Sequence, residues 1–244
     1  SYSSKKLFEA LIKMKLATPR YCRISRLIRD IPANEISGGN LITNLREELK
    51  KEMNKRGLKC QCLRCREVGH QANTPLNPPS RGELSTNFPL KRGTEGVLSD
   101  KPKLFIEKYQ TIGGTEYFLS FEDKKRQVVF AFLRLRLPTT PPNHPLIRGE
   151  QTNNTPLGKG GRGGLFAFIR ELHTYGQLVS VGKNEKTASQ HKGLGKKLVA
   201  EAEKICKKNK YKKIAVISGV GVRDYYRKLE YRLEKTYMIK KIPT

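Results

Sequence analysis

No stretch of this sequence approaches the roughly 20 consecutive apolar residues that a membrane-spanning helix needs. The N-terminal segment "SYSSKKLFEALIKMKL" also lacks the continuous apolar core of a signal peptide. Its Leu7, Leu11 and Met14 recur at helical spacing among lysines. No membrane role and a cytoplasmic location are therefore expected. Acidic side chains are scarce: 22 Asp+Glu stand against 49 Lys+Arg, a formal charge of +27. Charge of that size speaks about partners rather than fold. It points to nucleic acid first and to an anionic surface second, because it is spread over several segments and not confined to a tail. Cysteine is sparse, with five residues, three of them in one tight cluster. That pattern suits a metal site better than a disulfide framework. The C-x-x-x-C-x-x-C spacing of radical-generating iron–sulfur centres is absent.

What is present divides into segments. Residues 4–17 read as a short helix, broken by Pro19. "YCRISRLIRDIP" follows, with Arg23, Arg26 and Arg29 three apart. Leu41, Leu45, Leu49 and Met53 repeat every four residues and predict a helix over 40–56, with Gly57 where a C-cap belongs. Residues 72–99 and 139–164 are rich in Pro, Gly, Ser, Thr and Asn and have no periodicity. They share a theme ("TPLNPPSRGE", "FPLKRGTEG", "HPLIRGE", "TPLGKGGRGG"). Loops of this length are uncommon inside compact domains, so both read as flexible insertions.

The remainder is patterned for packing. "EYFLSFED" and "QVVFAFLRLRL" read as antiparallel strands joined by the turn "EDKKR". "LFAFIRELHTYGQLVSVG" reads as one long strand or two short ones. Residues 193–208 predict a helix with Leu194, Leu198, Ala202 and Ile205 inward. "KKIAVISG" is a strand, "VRDYYRKL" a helix and "YRLEKTYMIKKI" a closing strand. The expected class is α/β (α+β), a mixed central sheet flanked by helices and preceded by a small helical metal-binding linker. The expected organisation is 1–71 linker, 72–99 insertion and 100–244 main domain.

"SQHKGLGKKL" carries the first candidate site. Gly193 and Gly195 end a loop and open a helix. Backbone N–H groups at a helix start point outward with partial positive charge, so an anion fits there, and glycine lets phosphate approach closely. A third glycine and an acidic residue about 20 positions on are missing, which excludes a Rossmann fingerprint, and the stretch is not a P-loop. "QHKGLGKKLVAEAE" resembles the Q/R-x-x-G-x-G/A motif of the GNAT acetyltransferases, which cradles the pyrophosphate of acetyl-CoA. "DYYRKLEY" resembles that superfamily's late helix. More narrowly, "YCRISRLIRDIP", "LRCREVGHQ", "GGTEYFLSFED", "LRLRLP", "IRELHTYG", "QHKGLGKKL" and "SGVGVRDYYRKLEY", in this order, resemble the C-terminal part of the Elongator catalytic-subunit family. That family comprises the tRNA wobble-uridine acetyltransferases.

The resemblance implies residue roles. Gln190, Gly193 and Gly195 would hold the pyrophosphate, with Lys192, Leu194 and Lys196 contributing backbone. Leu178, Val179 and Val181 would pair with the pantetheine arm. Tyr225 and Tyr226 would sit near the thioester, with Tyr226 the expected acid for the departing thiolate. Aromatic core contacts are the plain alternative for both. Glu171 and His173 lie on the strand entering the cleft and take no assigned role. The family carries glycine where this chain has Glu230. If that position takes positive φ, a glutamate there costs on the order of 1 kcal/mol.

"CQCLRC" places Cys60, Cys62 and Cys65 close together. Thiolates in a reducing compartment favour Zn(II), which takes four tetrahedral S/N ligands. Cys22 is the first choice for a fourth ligand and His70 the second. Cys206 falls on an apolar helix face and reads as core.

In the family, a radical S-adenosylmethionine domain with an iron–sulfur cluster precedes this region, and this chain is expected to begin in that domain's tail. The resemblance therefore implies a part that binds acetyl-CoA and tRNA. Its counterpart would be a separate radical SAM half or a dimer mate. Arg23, Arg26 and Arg29 would contact phosphate. Lys204, Lys207, Lys208, Lys210, Lys212 and Lys213 form a second basic group. Two other readings stay open. One is a protein lysine acetyltransferase, against which the strong positive charge argues. The other is a non-catalytic RNA-binding remnant.

Overall fold

The computed structural model describes residues 3–27, 42, 44–68, 101–139, 166–175 and 193–243. Both proline- and glycine-rich segments lie almost wholly outside them. The chain forms two compact units, Ser1–Gly96 and Val97–Thr244. Among the described residues no helix is long and apolar enough to cross a membrane.

In the first unit, α1 spans Ser4–Ala17 and is capped by the Ser3 hydroxyl, which accepts from the Lys6 N–H. Helix α2 spans Leu45–Lys55, and α3 is a single turn, Leu63–Arg66. The four-residue period does what it predicts. Leu45, Leu49 and Met53 are all buried, and Ile12 of α1 packs with Leu49 and Met53, flanked by Phe8, Leu11, Leu27, Leu58 and Cys60. Burying each such side chain is worth roughly 1.5–3 kcal/mol. Leu41, the first member of the repeat, lies outside the described residues. Gly57 terminates α2 at φ +66, where other residues are strained. The Leu58 N–H then reaches back to the Met53 carbonyl at 2.8 Å.

The second unit is a seven-stranded sheet. Its strands are β1 Lys103–Thr111, β2 Gly114–Glu122, β3 Val129–Pro138, β4 Phe166–Thr174, β5 Lys213–Ile217, β6 Arg232–Glu234 and β7 Tyr237–Lys241. Their order is β1-β2-β3-β4-β5-β7-β6. The mixed α/β class expected from the sequence is the one adopted. Strands β1 to β4 form an antiparallel meander. The "EDKKR" turn is as read: the Asp123 carboxylate accepts from the backbone of Lys125, Gln127 and Val128. Two strand readings are corrected. An edge strand, β1, precedes the expected pair. The closing segment is not one strand but a β6–β7 hairpin, turning at Lys235 with φ +57.

Helix α4, Leu194–Lys208, connects β4 to β5, which pair in parallel, as a crossover requires. It lies against β2, β3, β4 and β5. Leu194, Gly195, Leu198, Val199, Ala202 and Cys206 are its buried residues, and Ile205 is only half-buried. Phe118, Phe130, Phe132, Leu133, Leu135 and Ile169 complete the core at under 2–3% exposure. The sheet also buries a carboxylate. Glu116 accepts from Tyr109, Arg136 and Arg170 at 2.8, 3.2 and 2.6 Å. Burial pushes its pKa up, but these hydrogen bonds outweigh burial and leave it below the usual carboxylate value.

Candidate active site and metal centre

The first site forms where β4 leaves β5. The two strands pair from Phe166↔Lys213 to Ile169↔Val216 and no further. Beyond that point β4 continues to Thr174 with β3 as its one partner among the described residues. Arg170 is an extra residue there, since Leu135 faces Ile169 and Arg134 faces Glu171. Such a bulge bends its strand and re-aims the residues after it.

The start of α4 lies at this opening. Gly193 is the N-cap at φ +92, and among the described residues no side chain caps the helix. No acidic residue occupies the first turn. The leading N–H groups of a 15-residue helix are therefore presented without a side-chain acceptor at its cap, the arrangement that attracts an anion. Gly193 itself has open space where a Cβ would go. Gly195 does not. A Cβ there would lie 2.9 Å from the Tyr225 hydroxyl and 3.4 Å from the Thr174 methyl. The end of β4, the first turn of α4 and the Tyr225 hydroxyl thus meet around one glycine. Leu194 is buried at 6% exposure, and Lys196 is exposed.

Tyr225 and Tyr226 sit on α5, Arg223–Arg227, and differ in setting. Tyr225 is 36% exposed. Tyr226 is 5% exposed and packs edge-on against Tyr231, centroids 5.7 Å apart. Burial raises both hydroxyls, and with the added effect of Tyr225 it pushes Tyr226 up to about 12. Tyr231 anchors the pair by donating to Glu203 of α4 at 3.0 Å. Lys240 of β7 holds the same carboxylate at 3.1 Å. Glu230 closes α5 at φ +69, so the strain anticipated for a non-glycine is present. Its carboxylate lies 3.2 Å from Lys240. Glu171 pairs with Arg134 at 3.4 Å, and His173 stacks on Phe132 at 4.9 Å. Leu178, Val179, Val181, Gln190 and Lys192 lie outside the described residues.

The second site is in the first unit. The thiols of Cys60, Cys62 and Cys65 all lie within 4.8 Å of one another. The segment Arg20–Arg23 is tied to them through the backbone. The Leu63 N–H donates to the Cys22 carbonyl at 2.8 Å, and Arg66 donates to the Arg20 carbonyl at 2.8 Å. Hydrogen bonding among the three thiols holds Cys62 well below its ordinary value, through Cys60 and Cys65, and pushes Cys60 up, through Cys62 and Cys65. Such a donor set, soft and close-spaced, fits Zn(II). Lys15 of α1, missed in the sequence among so many lysines, reaches the Cys65 sulfur at 3.8 Å. Arg23 forms an ion pair with the buried Glu67. Arg26 is exposed, whereas Arg29 and His70 lie outside the described residues.

No protein-family model matches the chain. Individual proteins do. A tRNA uridine(34) acetyltransferase of Methanocaldococcus jannaschii is 40% identical over 241 residues, 97% of this chain and 38% of that protein. Elongator complex protein 3 of Homo sapiens is 36% identical over 241 residues, 98% of this chain and 38% of that protein. The solved archaeal Elp3 of Methanocaldococcus infernus, with an N-terminal deletion, aligns with a TM-score of 0.72 at 37% identity. That alignment covers 98% of this chain and 49% of the other. The chain is homologous to the Elongator-type tRNA uridine(34) acetyltransferases. It spans about two fifths of the length of the curated Elongator-type relatives it matches. The cleft and the cysteine cluster both fall within the stretch shared with them.

Proposed function

We propose that this chain is the acetyl-CoA-binding part of an Elongator-type tRNA wobble-uridine acetyltransferase. The observation that carries the reading is the meeting of three elements at one opening: the uncapped start of α4, the parted ends of β4 and β5, and the Tyr225 hydroxyl over Gly195. Gly193, Gly195 and the N–H groups of Leu194 and Lys196 would receive the pyrophosphate, with Gln190 and Lys192. Leu178, Val179 and Val181 would run beside the pantetheine arm. We assign the proton-donating role to Tyr225 rather than Tyr226, because Tyr226 is packed into the core and its hydroxyl is the weaker acid. A neutral tyrosine hydroxyl can stabilise a departing thiolate by donating a hydrogen bond. The radical chemistry that completes the uridine side chain would require a radical SAM half with its iron–sulfur cluster and S-adenosylmethionine, in the same chain or a separate one.

In this reading Zn(II) is held by Cys60, Cys62 and Cys65, with Cys22, whose thiol lies outside that close group in this structure, swinging in as the fourth ligand. It would clamp α3 and the Arg20–Arg23 segment into one structural knot. Phosphates of tRNA would meet Arg23, Arg26 and Arg29. Of the two described, Arg26 is the more available, since Arg23 already serves Glu67.

Titration calorimetry with acetyl-CoA, run beside a Gly193→Glu variant, tests the cleft. Binding that the variant loses supports the cradle. No binding by a folded chain would leave the RNA-binding remnant as the better reading. Gly195→Ala sharpens the tyrosine assignment. The Tyr225 side chain can swing aside, so the fold should tolerate the methyl. The displaced hydroxyl should lower acetyl-CoA turnover at least tenfold while acetyl-CoA affinity changes less.

A further inference from the structure

Lys15 is 3% exposed, although it lies on the last turn of a surface-rich helix. Among the described residues its ammonium makes one hydrogen bond, to the Cys65 sulfur at 3.8 Å. Among the described residues no carboxylate lies within ion-pairing distance of it. Glu67, the buried acid nearby in sequence to the cluster, is engaged by Arg23. The same residue touches the cluster a second time, where the Cys60 thiol donates to the Lys15 carbonyl at 3.6 Å.

A buried cation needs an anionic partner. A neutral thiol is a weak one. A metal-bound thiolate is deprotonated and carries charge. Three thiolates around a divalent ion leave one net negative charge, and a fourth thiolate leaves two. Arg64 lies close enough to Cys62 and Cys65 for their charges to act on it, but it is half-exposed and shared with water. Arg66 is as buried as Lys15 but donates to the Gln61 and Arg20 carbonyls, whereas the Lys15 ammonium is directed at a cluster sulfur.

We propose that Lys15 is the counter-ion of a metal–thiolate centre and that it couples metal occupancy to docking of the last turn of α1. This rests on the metal reading of Cys60, Cys62 and Cys65. With metal bound, the ammonium faces an anionic cluster. With metal removed, the anionic charge fixed beside the buried ammonium is no longer held there, and the turn carrying it is released. Lys15 is a positioning residue that acts on the ligands and does not bind the metal itself.

The test compares the unmodified chain with Lys15→Met and Lys15→Arg. Zinc affinity is read by competition with a chromophoric chelator at fixed pH, and cobalt(II) substitution reports the thiolates through their charge-transfer absorption. Loss of an outer partner of a metal ligand typically weakens binding 10–100-fold. Lys15→Met should show a loss of that size and a cobalt band moved to longer wavelength, while Lys15→Arg keeps most of the affinity. If the unmodified chain binds about one zinc and Lys15→Met matches it in affinity and spectrum, the Lys15 proposal is overturned and the metal reading stands. If the unmodified chain binds no zinc, both fall. Should Lys15→Met not fold, hydrogen exchange on the unmodified chain decides. Chelation should deprotect the Ile12–Ala17 amides, and unchanged protection there overturns the proposal.

Discussion

The two units hold themselves together in different ways. The sheet unit buries a contiguous set of large apolar side chains, with Phe118, Phe132, Leu133 and Leu198 at or near zero exposure. The helical unit has a small apolar cluster around Ile12, Leu49 and Met53. It also buries Lys15, Arg66 and Glu67 beside three thiols. A small core with buried charge gains little from the hydrophobic effect and depends on what balances the charge. The sheet unit also buries carboxylates, Glu116 and Glu122, but sets them beside a large apolar core.

Metal removal should break this comparison most visibly. A strong chelator should release about one zinc per chain and strip hydrogen-exchange protection from α1 and α2, leaving the sheet protected. Structural zinc sites contribute on the order of 10 kcal/mol, far beyond any single side chain here. A metal-free chain with both units protected would erase the distinction. Leu198→Ala is the converse. It should cost about 2–5 kcal/mol in the sheet unit by denaturant unfolding and leave zinc content unchanged.

Acid titration separates the units more finely. The Glu116 pKa is lowered in the folded state. Its contribution is therefore present above the ordinary carboxylate range and lost as pH falls through the folded value. Glu116→Gln should cost about 1–3 kcal/mol at neutral pH, since Arg136 and Arg170 lose their anion. It should also flatten the acid limb of the sheet's stability curve. An unaltered acid limb would place the sensitivity elsewhere. The smallest effect is Glu230→Gly. Relief of the positive φ should stabilise the sheet unit by about 1 kcal/mol, less whatever the contact with Lys240 contributes, read as a small rise in denaturant midpoint.

Periodicity made much of the fold legible. The four-residue repeat of Leu45, Leu49 and Met53 gave α2, and apolar strand runs gave β2, β3 and β5. Strand β1 escaped because Lys103, Glu107 and Lys108 interrupt its apolar residues, as suits an edge strand. The β6–β7 hairpin escaped because its turn contains neither glycine, asparagine nor proline, with Lys235 taking the positive φ instead. At the site, the glycine motif and the paired tyrosines were visible as residue types. That Gly195 abuts Tyr225 and Thr174 was not, because it joins segments far apart in the chain. Lys15 was equally hidden, since nothing local sets it apart from its neighbours.

The short parallel register between β4 and β5 has a mechanical side. Among the described residues, four residue pairs, Phe166 to Ile169 against Lys213 to Val216, form the seam between a four-stranded ribbon and a three-stranded one, and α4 is a splint laid across it. A molecule wedged into the unpaired end would act as a stitch that lengthens the seam. Occupancy there should stiffen the whole sheet against shear, well beyond the residues it touches.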